Sequence, residues 1–555
     1  MIETIHIRQY RKLKDLTLSF SEGLNAIAGS NGTCKTSLLH LFGNSFQAVN
    51  RSCEWLREAQ CLQIIKAVNA VTNPKVETLT RGDKKYNDPA HGITGELFNV
   101  TYGDGVSLAF RRHNSSLTTR YALKPYYKKG SGEKLPKKPV IYLGLSRLVP
   151  FGEFHNDDAL KRIKNSLPNQ YLQEISTLYQ QFTHYSVSFK ENQLMGDLKT
   201  RAEFSSESDG IDSNTISAGE DNLYILLTAL VSLKYYYDCI TPSSSRRAES
   251  VLLVDEVDAT LHPAFQVKLL DIMRQFSAMY RIQVVFTTHS MTALENLLDR
   301  KDNVIYLLDN VTNVAQMEEP DIYKIKMHLS MQTDEDIYRD KVVPIFTEDE
   351  EARFMLDMLL SHFMNTRTEE FCRVNRFFHK VKVCLSADSL RDIFKDSKLL
   401  NITMKSICVL DGDKDSDISH YITSLPGKNC NIPSNKMSPE MLLIEYADYL
   451  YKIDDSFWLD RTIIDKGFGK RYYLERIKSK NDEYKAAVER GEENTKPRVF
   501  NKKLFNENKD FFTLLFKHWL NNPDNSGEIN RFYWELKTLF IKVSRYNGIN
   551  PNEWK

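Results

Sequence analysis

The first half of the chain alternates short apolar runs with longer helical stretches. The runs GLNAIA (23–28), VLLV (251–254) and VVFTT (284–288) are typical of strands buried in a sheet. The segments SLLHLF (37–42) and NLYILLTALVSLKYY (222–236) follow polar turns and have the apolar character of packed helices. This order predicts an α/β fold for the first half of the chain.

The second half repeats the strand and helix pattern and then becomes helical. PIFTEDEEARFMLDMLL (344–360), VKVCLSADSLRDIF (381–394) and SICVLDGDKD (406–415) predict strands followed by helices or acidic turns. FFTLLFKHWL (511–520) and INRFYWELKTLFIKV (529–543) have the apolar stripe of an amphipathic helical pair. We therefore predict three domains, covering 1–335 with an insert at about 43–210, 336–460, and 461–555.

Composition and charge narrow the class of protein. The 555 residues are 41% hydrophobic with a formal net charge of +1, which argues against nucleic-acid binding through overall charge. The eight cysteines form no C-x-x-C pair, which predicts reduced thiols, no disulfide and no structural zinc. No secretory signal and no run of about twenty apolar residues occurs. We expect a cytoplasmic protein that does not span a membrane.

A local surplus of positive charge begins at residue 461. From there the chain has twenty Lys and Arg against thirteen Asp and Glu, interleaved with aromatic residues. Such aromatics can stack on bases while the cations hold phosphates, or they can form a helical pair that packs or docks a partner. The polar run 127–139, YKKGSGEKLPKKP, predicts a surface loop, with phosphate contact as its alternative.

The segment 29–37, GSNGTCKTS, is almost a phosphate-binding loop. The usual pattern is G-x-x-x-x-G-K-[ST], and Cys34 stands where the second glycine is expected. A strand before it and a helix after it are the context that such a loop needs, because the N–H groups at a helix N-terminus attract phosphates. The residues predicted to bind nucleotide here are Gly29, Ser30, Asn31, Gly32, Thr33, Cys34, Lys35, Thr36 and Ser37, with the Thr36 hydroxyl on Mg²⁺.

Three later segments fit the same site. VLLVDE ends in Asp255, predicted to hold Mg²⁺, and Glu256, predicted to polarise the water that attacks the γ phosphate. VVFTTHS ends in His289, within reach of the γ phosphate if its strand lies beside the other two. A further anion-binding helix start is predicted at SAGE (217–220), with Ser217, Gly219 and Glu220 as nucleotide-binding residues.

These motifs resemble those of ABC-class ATPases in order and spacing. GSNGTCKT resembles the Walker A loop, SAGE the signature, VLLVDE the Walker B strand, the stretch around Asp258 the D-loop, and TTHS the switch histidine. The opening IHIRQYRKLKDLTLSF (5–20) resembles the first strand pair of RecF, SMC and OLD-type ATPases. This resemblance implies an ATPase with ATP and Mg²⁺ as cofactors and a dimer of heads that sandwiches ATP. The family's glutamine between γ phosphate and metal is not identifiable in its loop, near 140–155.

A narrower resemblance is carried by GSNGTCKTSLLHLFGNSFQAV (29–49), YLGLSRLVPFGE (142–153) and SNTISAGEDNL (213–223). These stretches are similar to PtuA, the ATPase family of the Septu antiphage systems, including those linked to retrons. In that family a cysteine before the lysine is part of the pattern. The resemblance implies an antiphage complex in which the ATPase controls an HNH nuclease subunit (PtuB-like). It also implies a retron reverse transcriptase with its RNA–DNA product (msDNA) as further partners, and nucleic acid bound by the complex.

Acidic residues end two predicted strands of the second half. If those strands are neighbours, Glu348, Asp411 and Asp413 converge as oxygen ligands for Mg²⁺ or Mn²⁺. Their spacing resembles the Toprim domain of OLD-type nucleases, although Asp349 stands where a glycine is common. The sequence thus predicts a Toprim-like α/β domain after the ATPase head, and a helical C-terminal region.

Two other functions stay open on the sequence. A self-contained, ATP-regulated DNA or RNA endonuclease would use Glu348, Asp411 and Asp413 as its metal ligands. A DNA-repair ATPase that clamps duplex ends would need a long coiled coil between the Walker motifs, and residues 43–210 lack heptads.

Overall fold

The protein was analysed as a computed structural model, which describes residues 1–80, 88–114, 121–127, 133–151, 160–163, 166–196, 198–207, 209–243, 247–399, 405–429, 435–453, 455–492 and 494–554. The predicted loop at 127–139 therefore lies partly outside the described residues. The chain divides into two compact units, Met1–Met331 and Gln332–Lys555. Among the described residues, no helix is long and apolar enough to cross a membrane.

The described residues of the first unit form fourteen strands and eight α-helices. The strands are β1 Ile2–Tyr10, β2 Leu13–Ser19, β3 Leu24–Gly29, β4 Glu96–Tyr102, β5 Ser107–Asn114, β6 Tyr121–Tyr126, β7 Val140–Leu143, β8 Leu160–Ile163, β9 Val187–Met195, β10 Lys199–Ser206, β11 Ser250–Val254, β12 Ile282–Thr288, β13 Asn303–Asp309 and β14 Val314–Gln316. The helices are α1 Lys35–Asn44, α2 Gln60–Val68, α3 Val76–Leu79, α4 Asn169–Thr183, α5 Ala218–Asp238, α6 Pro263–Tyr280, α7 Met291–Asp299 and α8 Ile322–Ser330.

Eleven of these strands form one sheet in the order β6-β5-β4-β1-β2-β14-β13-β3-β12-β11-β7. Strands β13, β3, β12, β11 and β7 are parallel neighbours, and β1 and β2 pair antiparallel. Every residue of β3, β11 and β12 is buried, as their continuous apolar runs predict for strands covered on both faces. Helix α1 packs on β3, β11 and β12, whereas α5 and α6 pack on one another and on these strands.

The predicted insert at 43–210 is not a separate body. Strand β4 pairs with β1 and extends the sheet on one side, and β7 pairs in parallel with β11 at the other edge. Only β8, β9 and β10 form a sheet of their own, which lies against α4 and α5. Polar loops dominate this stretch of sequence, so its short strands are hard to recognise before their partners are known.

In the second unit, the part of the chain that the structure describes has four strands, β15 Val343–Thr347, β16 Phe378–Lys380, β17 Ile407–Leu410 and β18 Ile422–Ser424. Its helices are α9 Asp334–Tyr338, α10 Glu350–Thr366, α11 Thr368–Asn375, α12 Ala387–Lys395, α13 Ser397–Leu399, α14 Pro439–Ile453, α15 Ser456–Leu459, α16 Arg461–Ile464, α17 Lys470–Tyr473, α18 Ser479–Glu489, α19 Pro497–Glu507, α20 Lys509–Asn521 and α21 Ser526–Ser544. All four strands are parallel, in the order β16-β15-β17-β18. The strand predicted at 381–384 is absent, and the three-residue β16 precedes that stretch.

The helices after residue 461 share one hydrophobic cluster with the strands of the second unit, so this unit does not divide at that residue. Among the aromatic residues of this region, Phe511, Phe512, Trp519, Phe532 and Tyr533 are fully buried there. Trp534 of α21, by contrast, has an indole that is 55% exposed. The aromatics of α20 and α21 therefore serve packing, which favours the packing interpretation of the C-terminal region over base stacking.

Candidate functional site

Three sequence motifs of the first unit meet at one edge of the sheet. Strands β3, β12 and β11 are consecutive parallel neighbours, with Ala28 opposite Thr288 and Val254 opposite Phe286. Their carboxyl ends therefore lie side by side, and the loops that follow them share one crevice. This is the position where ligands bind in open α/β sheets.

The loop between β3 and α1 closes around the lysine of the phosphate-loop motif. Lys35 donates from Nζ to the carbonyl oxygens of Gly29 (3.0 Å) and Ser30 (2.9 Å), and the Thr33 hydroxyl also donates to Ser30 (2.8 Å). The Lys35 side chain is largely buried, and this burial lowers its pKa. The loop is thus a compact backbone nest with a cation at its centre, at the N-terminus of α1.

Backbone conformation explains both the glycines and the cysteine of the loop. Gly29 has φ +147°, and a Cβ there would lie 2.4 Å from the carbonyl oxygen of Leu307. Cys34 has φ 65°, which is in the left-handed region that glycine usually occupies. The cysteine therefore keeps the backbone shape of the usual loop, at the cost of placing a Cβ in that region.

The Walker-type threonine and aspartate are in direct contact. Thr36 donates from its hydroxyl to Asp255 Oδ2 (2.9 Å), and Thr287 donates to Asp255 Oδ1 (2.7 Å). Asp255 is buried. A hydroxyl and a carboxylate held this close are hard oxygen ligands of the kind that Mg²⁺ takes, so Thr36 and Asp255 fit the predicted metal position.

The next two predicted residues lie beside this pair. Glu256 has φ 49°, a left-handed conformation, and its backbone N–H donates to the Thr287 hydroxyl (2.7 Å). The backbone N–H of His289 donates to Asp258 (3.3 Å). Burial, and then Lys35, lower the pKa of His289, so its imidazole is neutral at pH 7. The strained Glu256 turn and a neutral histidine are arranged at the crevice, while their catalytic roles stay predictions.

Arg147 is a site residue that the sequence did not reveal. Its guanidinium donates to the carbonyl oxygens of Asp255 (2.7 Å) and Glu256 (2.7 Å), and to Asn222 Oδ1 (2.8 Å). Burial lowers its pKa to about 10, so it stays charged at neutral pH. Arg147 lies in the loop near 140–155 that holds a glutamine in ABC-class ATPases. In the sequence, its one distinguishing feature is that it is a single cation within the apolar stretch YLGLSRLVPF (142–151).

The predicted signature residues begin α5. Ser217 and Glu220 form a reciprocal capping box, with the Ser217 hydroxyl accepting from the Glu220 N–H (3.2 Å) and Glu220 Oε2 accepting from the Ser217 N–H (2.9 Å). A Cβ on Gly219 would lie 2.5 Å from the Thr260 carbonyl oxygen, and Asn222 donates to Ala259 O (3.0 Å). The N-terminal part of helix α5 therefore packs against the loop after β11. Among the described residues, its first-turn side chains make no hydrogen bond to the phosphate loop.

One family model matches the part of the chain that carries this site. Residues 24–295 match the family model described as "AAA domain, putative AbiEii toxin, Type IV TA system". The first unit carries an ATPase-type domain. The matched range contains the phosphate loop, Asp255, Glu256 and His289, and ends within α7. No curated protein matches the chain.

Several solved structures are similar to part of this chain. The SMC head domain from Thermotoga maritima is 12% identical at a TM-score of 0.31, covering 58% of this chain and 99% of its own. The recombination mediator protein RecF with ATPrS is 11% identical at a TM-score of 0.31, and the match covers 57% of this chain and 98% of RecF. A third structure is the Pyrococcus furiosus Smc head domain with an extended coiled coil, bound to the C-terminal domain of ScpA. It is 12% identical at a TM-score of 0.27, and the match covers 60% of this chain and 98% of that one. The assignment of the domain rests on its own sheet, its loops and the family match.

The second predicted site is only partly assembled. Strands β15 and β17 are parallel neighbours, so Glu348 and Asp411 follow them side by side, and Glu348 Oε1 accepts from the Asp411 N–H (2.8 Å). The carboxylate of Asp413 pairs with the adjacent Lys414 (2.8 Å), and among the hydrogen bonds and ion pairs of the described residues none joins it to Glu348 or Asp411. Within the described parts of the chain, no group of three or more His, Cys, Asp or Glu residues is placed to hold a metal ion. Of the three residues predicted to converge on Mg²⁺ or Mn²⁺, Glu348 and Asp411 are thus in contact, and the place of Asp413 beside them stays a prediction.

A cation from a distant helix contacts these carboxylates instead. Arg498 of α19 donates to Asp411 Oδ2 (2.9 Å) and Glu348 Oε2 (3.2 Å). Burial, and then the neighbouring Glu348, raise the pKa of Asp411, while Arg498 lowers it. A divalent cation at this position would have to displace the Arg498 guanidinium, which already binds both carboxylates. The Toprim-like metal site thus does not fit the residues present.

Proposed function

We propose that this protein is the ATP-binding and ATP-hydrolysing subunit of a bacterial antiphage defence complex, acting in the cytoplasm. The observation that carries the ATPase part is the meeting of Lys35, Thr36, Asp255, Glu256 and His289 at the carboxyl ends of three adjacent strands. These side chains supply what phosphoryl transfer to water requires, namely a phosphate-binding cation, two metal ligands, a base and a hydrogen-bond donor to the γ phosphate.

Each residue has a part in the proposed reaction. The backbone N–H groups of the loop 30–36 and the Lys35 ammonium bind the β and γ phosphates, while Thr36 and Asp255 hold Mg²⁺. When bound, Mg²⁺ neutralises charge on the phosphate oxygens. Glu256 accepts a hydrogen bond from the attacking water, and the neutral His289 donates one to the γ phosphate. Arg147 orients the Asp255–Glu256 turn through its two carbonyl oxygens.

A second copy of the chain completes the proposed site. In one copy the signature residues Ser217 and Glu220 are engaged in their own capping box, and Gly219 lies against Thr260. The N-terminus of α5 still presents backbone N–H groups suited to phosphate. We therefore place the signature of one copy on the γ phosphate bound by its partner, so that ATP lies between two heads.

The defence role rests on the resemblance of residues 29–49, 142–153 and 213–223 to the Septu ATPase family. It adds an HNH nuclease subunit as the effector that the ATPase restrains or releases. It also adds a retron reverse transcriptase with its msDNA as further partners, and nucleic acid at the level of the complex.

Co-purification tests the complex. The tagged chain is expressed with its genomic neighbourhood, and the eluate is analysed by mass spectrometry and nucleic-acid sequencing. A small HNH protein that elutes with wild-type protein supports the proposal, and a matched Lys35→Ala sample reports whether ATP binding controls the assembly. Recovery of the chain alone would contradict the proposed defence complex while leaving the ATPase assignment intact.

A self-contained endonuclease is the second candidate, and it depends on a metal site in the second unit. Two of its three proposed ligands, Glu348 and Asp411, are in contact, and both are bound by Arg498. The purified chain, given Mg²⁺ or Mn²⁺ with nicked DNA, supercoiled DNA or tRNA, is therefore expected to leave all three intact. Cutting that is lost in Asp411→Ala would establish this candidate instead.

A further inference from the structure

The carboxylates at the strand ends of the second unit form a cluster that a helix of the same chain neutralises. Its members directly follow strands β15 and β17 or lie at the starts of helices α10 and α14. They are Glu348, Asp349, Glu351, Asp411 and Glu440, which we name the acidic cluster. Each of these residues is buried or nearly so, and burying this much negative charge without cations would be strongly unfavourable.

The compensating cations occupy one face of α19. Arg498, Lys502 and Asn506 are spaced four residues apart, so they form a single row along this helix. Asn506 donates from Nδ2 to Glu351 Oε1 (2.7 Å). Lys502 donates to Asp349 and, at 3.2 Å, to Glu351 Oε2.

Arg498 bridges the two residues that follow the parallel strands. One of its terminal nitrogens, Nη2, lies 2.9 Å from Asp411 Oδ2, 3.2 Å from Glu348 Oε2 and 3.5 Å from Asp349 Oδ2. A single positively charged nitrogen thus contacts three carboxylates at once. That is the position that a divalent cation bound by the strand ends would need.

We infer that α19 acts as the permanent counter-ion of the acidic cluster. In this protein the side chains of Arg498 and Lys502 replace a metal ion and clasp α19 to the sheet edge, so the second unit is a structural module without metal-dependent chemistry. The inference concerns only the second unit and is independent of the ATP site.

Manganese binding by the nucleotide-free, full-length protein tests the inference directly. Because Mn²⁺ is paramagnetic and its free form gives a strong EPR signal, binding is read as loss of that signal. The measurement uses Asp255→Asn protein, so that the predicted ATP-site metal position does not contribute. We expect no loss of signal at equimolar Mn²⁺, and no further change in Asp255→Asn/Asp411→Asn. Stoichiometric binding that Asp411→Asn abolishes would overturn the inference.

Thermal unfolding tests the clasp by a second route. Arg498→Ala is expected to lower the melting temperature by roughly 5–10 °C, because it leaves buried carboxylates without their counter-ion. Arg490→Ala is the matched control, because Arg490 is exposed and pairs with Glu492. The melting temperature of this variant should equal that of wild type. Equal melting temperatures for Arg498→Ala and wild type would contradict the clasp. If Arg498→Ala does not fold, that outcome supports the role of Arg498 as counter-ion of the acidic cluster. The manganese measurement, which keeps Arg498, then remains the test that can contradict the inference.

Discussion

Cys34 illustrates how one residue can depart from a motif without destroying it. Its backbone has φ 65°, the shape that a glycine gives to the usual phosphate loop. The hydrogen bonds of Lys35 to the loop carbonyls and of Thr36 to Asp255 are both made with this cysteine in place. The loop geometry therefore depends on the left-handed conformation, which cysteine can adopt at a moderate energetic cost.

Substitution of Cys34 tests this explanation. Cys34→Gly should leave ATP binding intact and change the free energy of unfolding by less than about 1 kcal/mol, because relief of the left-handed penalty is offset by backbone entropy. Cys34→Val should lose roughly 1–2 kcal/mol, because a β-branched side chain tolerates positive φ poorly. Chemical denaturation of both variants checks the order. Equal stabilities for valine and glycine would show that the conformation of residue 34 carries no cost.

His40 provides a pH-dependent prediction at the same scale. It is buried on α1, with Nε2 3.1 Å from the Tyr142 hydroxyl, and burial lowers its pKa to about 4. In the unfolded chain a histidine has a pKa of about 6.5. Between these two pKa values, the unfolded chain therefore binds a proton at His40 and the folded chain does not. Its contribution to stability is present above pH 6.5 and is lost as the pH falls toward 4.

Denaturant unfolding between pH 7 and pH 5 measures this contribution. Wild type should lose on the order of 2 kcal/mol more than His40→Gln over this interval, since glutamine does not titrate and can still bond Tyr142. Other groups also titrate here, so the difference between the two proteins is the informative quantity. Parallel stability curves would mean that His40 is not the group responsible.

At the scale of elements, Arg147 joins three parts of the site that are far apart in sequence. It follows β7, and it binds the turn after β11 and the first helical turns of α5 through Asn222. A change in the position of α5 would therefore be transmitted to Glu256. We regard this residue as a positioning residue for the proposed hydrolysis.

Arg147→Lys should separate positioning from nucleotide binding. A lysine cannot reach both carbonyl oxygens and Asn222, so the variant should lose roughly 2–4 kcal/mol of stability and about tenfold or more in kcat. The Kd for ATP should change by less than about threefold, because Arg147 makes none of the hydrogen bonds of the phosphate loop. Arg162→Lys, at an exposed ion pair on β8, is the control and should behave as wild type. A variant that loses ATP binding together with turnover would rule out a positioning role.

Local patterns predicted the elements well and long-range pairs poorly. The phosphate loop, Asp255 and His289 each end a fully buried strand, so their position follows from the apolar run before them. The partners Arg147 and Arg498 lie more than eighty residues from the carboxyl groups or turns that they bind, and a single sequence carries no sign of such pairs. The short strands within 43–210 were missed for the same reason, since β4 and β7 are defined by pairing with β1 and β11.

For the molecule as a whole, the account assigns the chemistry to the ATPase domain and a structural role to the second unit. The phosphate loop and the signature helix belong to the same unit, yet the signature residues are engaged in their own capping box and in contacts with the loop 258–260. ATP-dependent pairing of two copies would bring a signature onto each phosphate loop. Such pairing is how a nucleotide-driven change could be passed to an effector subunit.

The most direct test of this account is the mass of Glu256→Gln protein, measured by light scattering with ATP and Mg²⁺. Loss of the carboxylate should stop hydrolysis but leave ATP bound. With ATP we therefore expect a mass that is twice the mass of the nucleotide-free assembly, or a larger even multiple of it. Lys35→Ala with ATP should keep the nucleotide-free mass, since it lacks the phosphate-binding cation. A Glu256→Gln protein that turns ATP over normally, or whose mass does not change with ATP, would contradict the account.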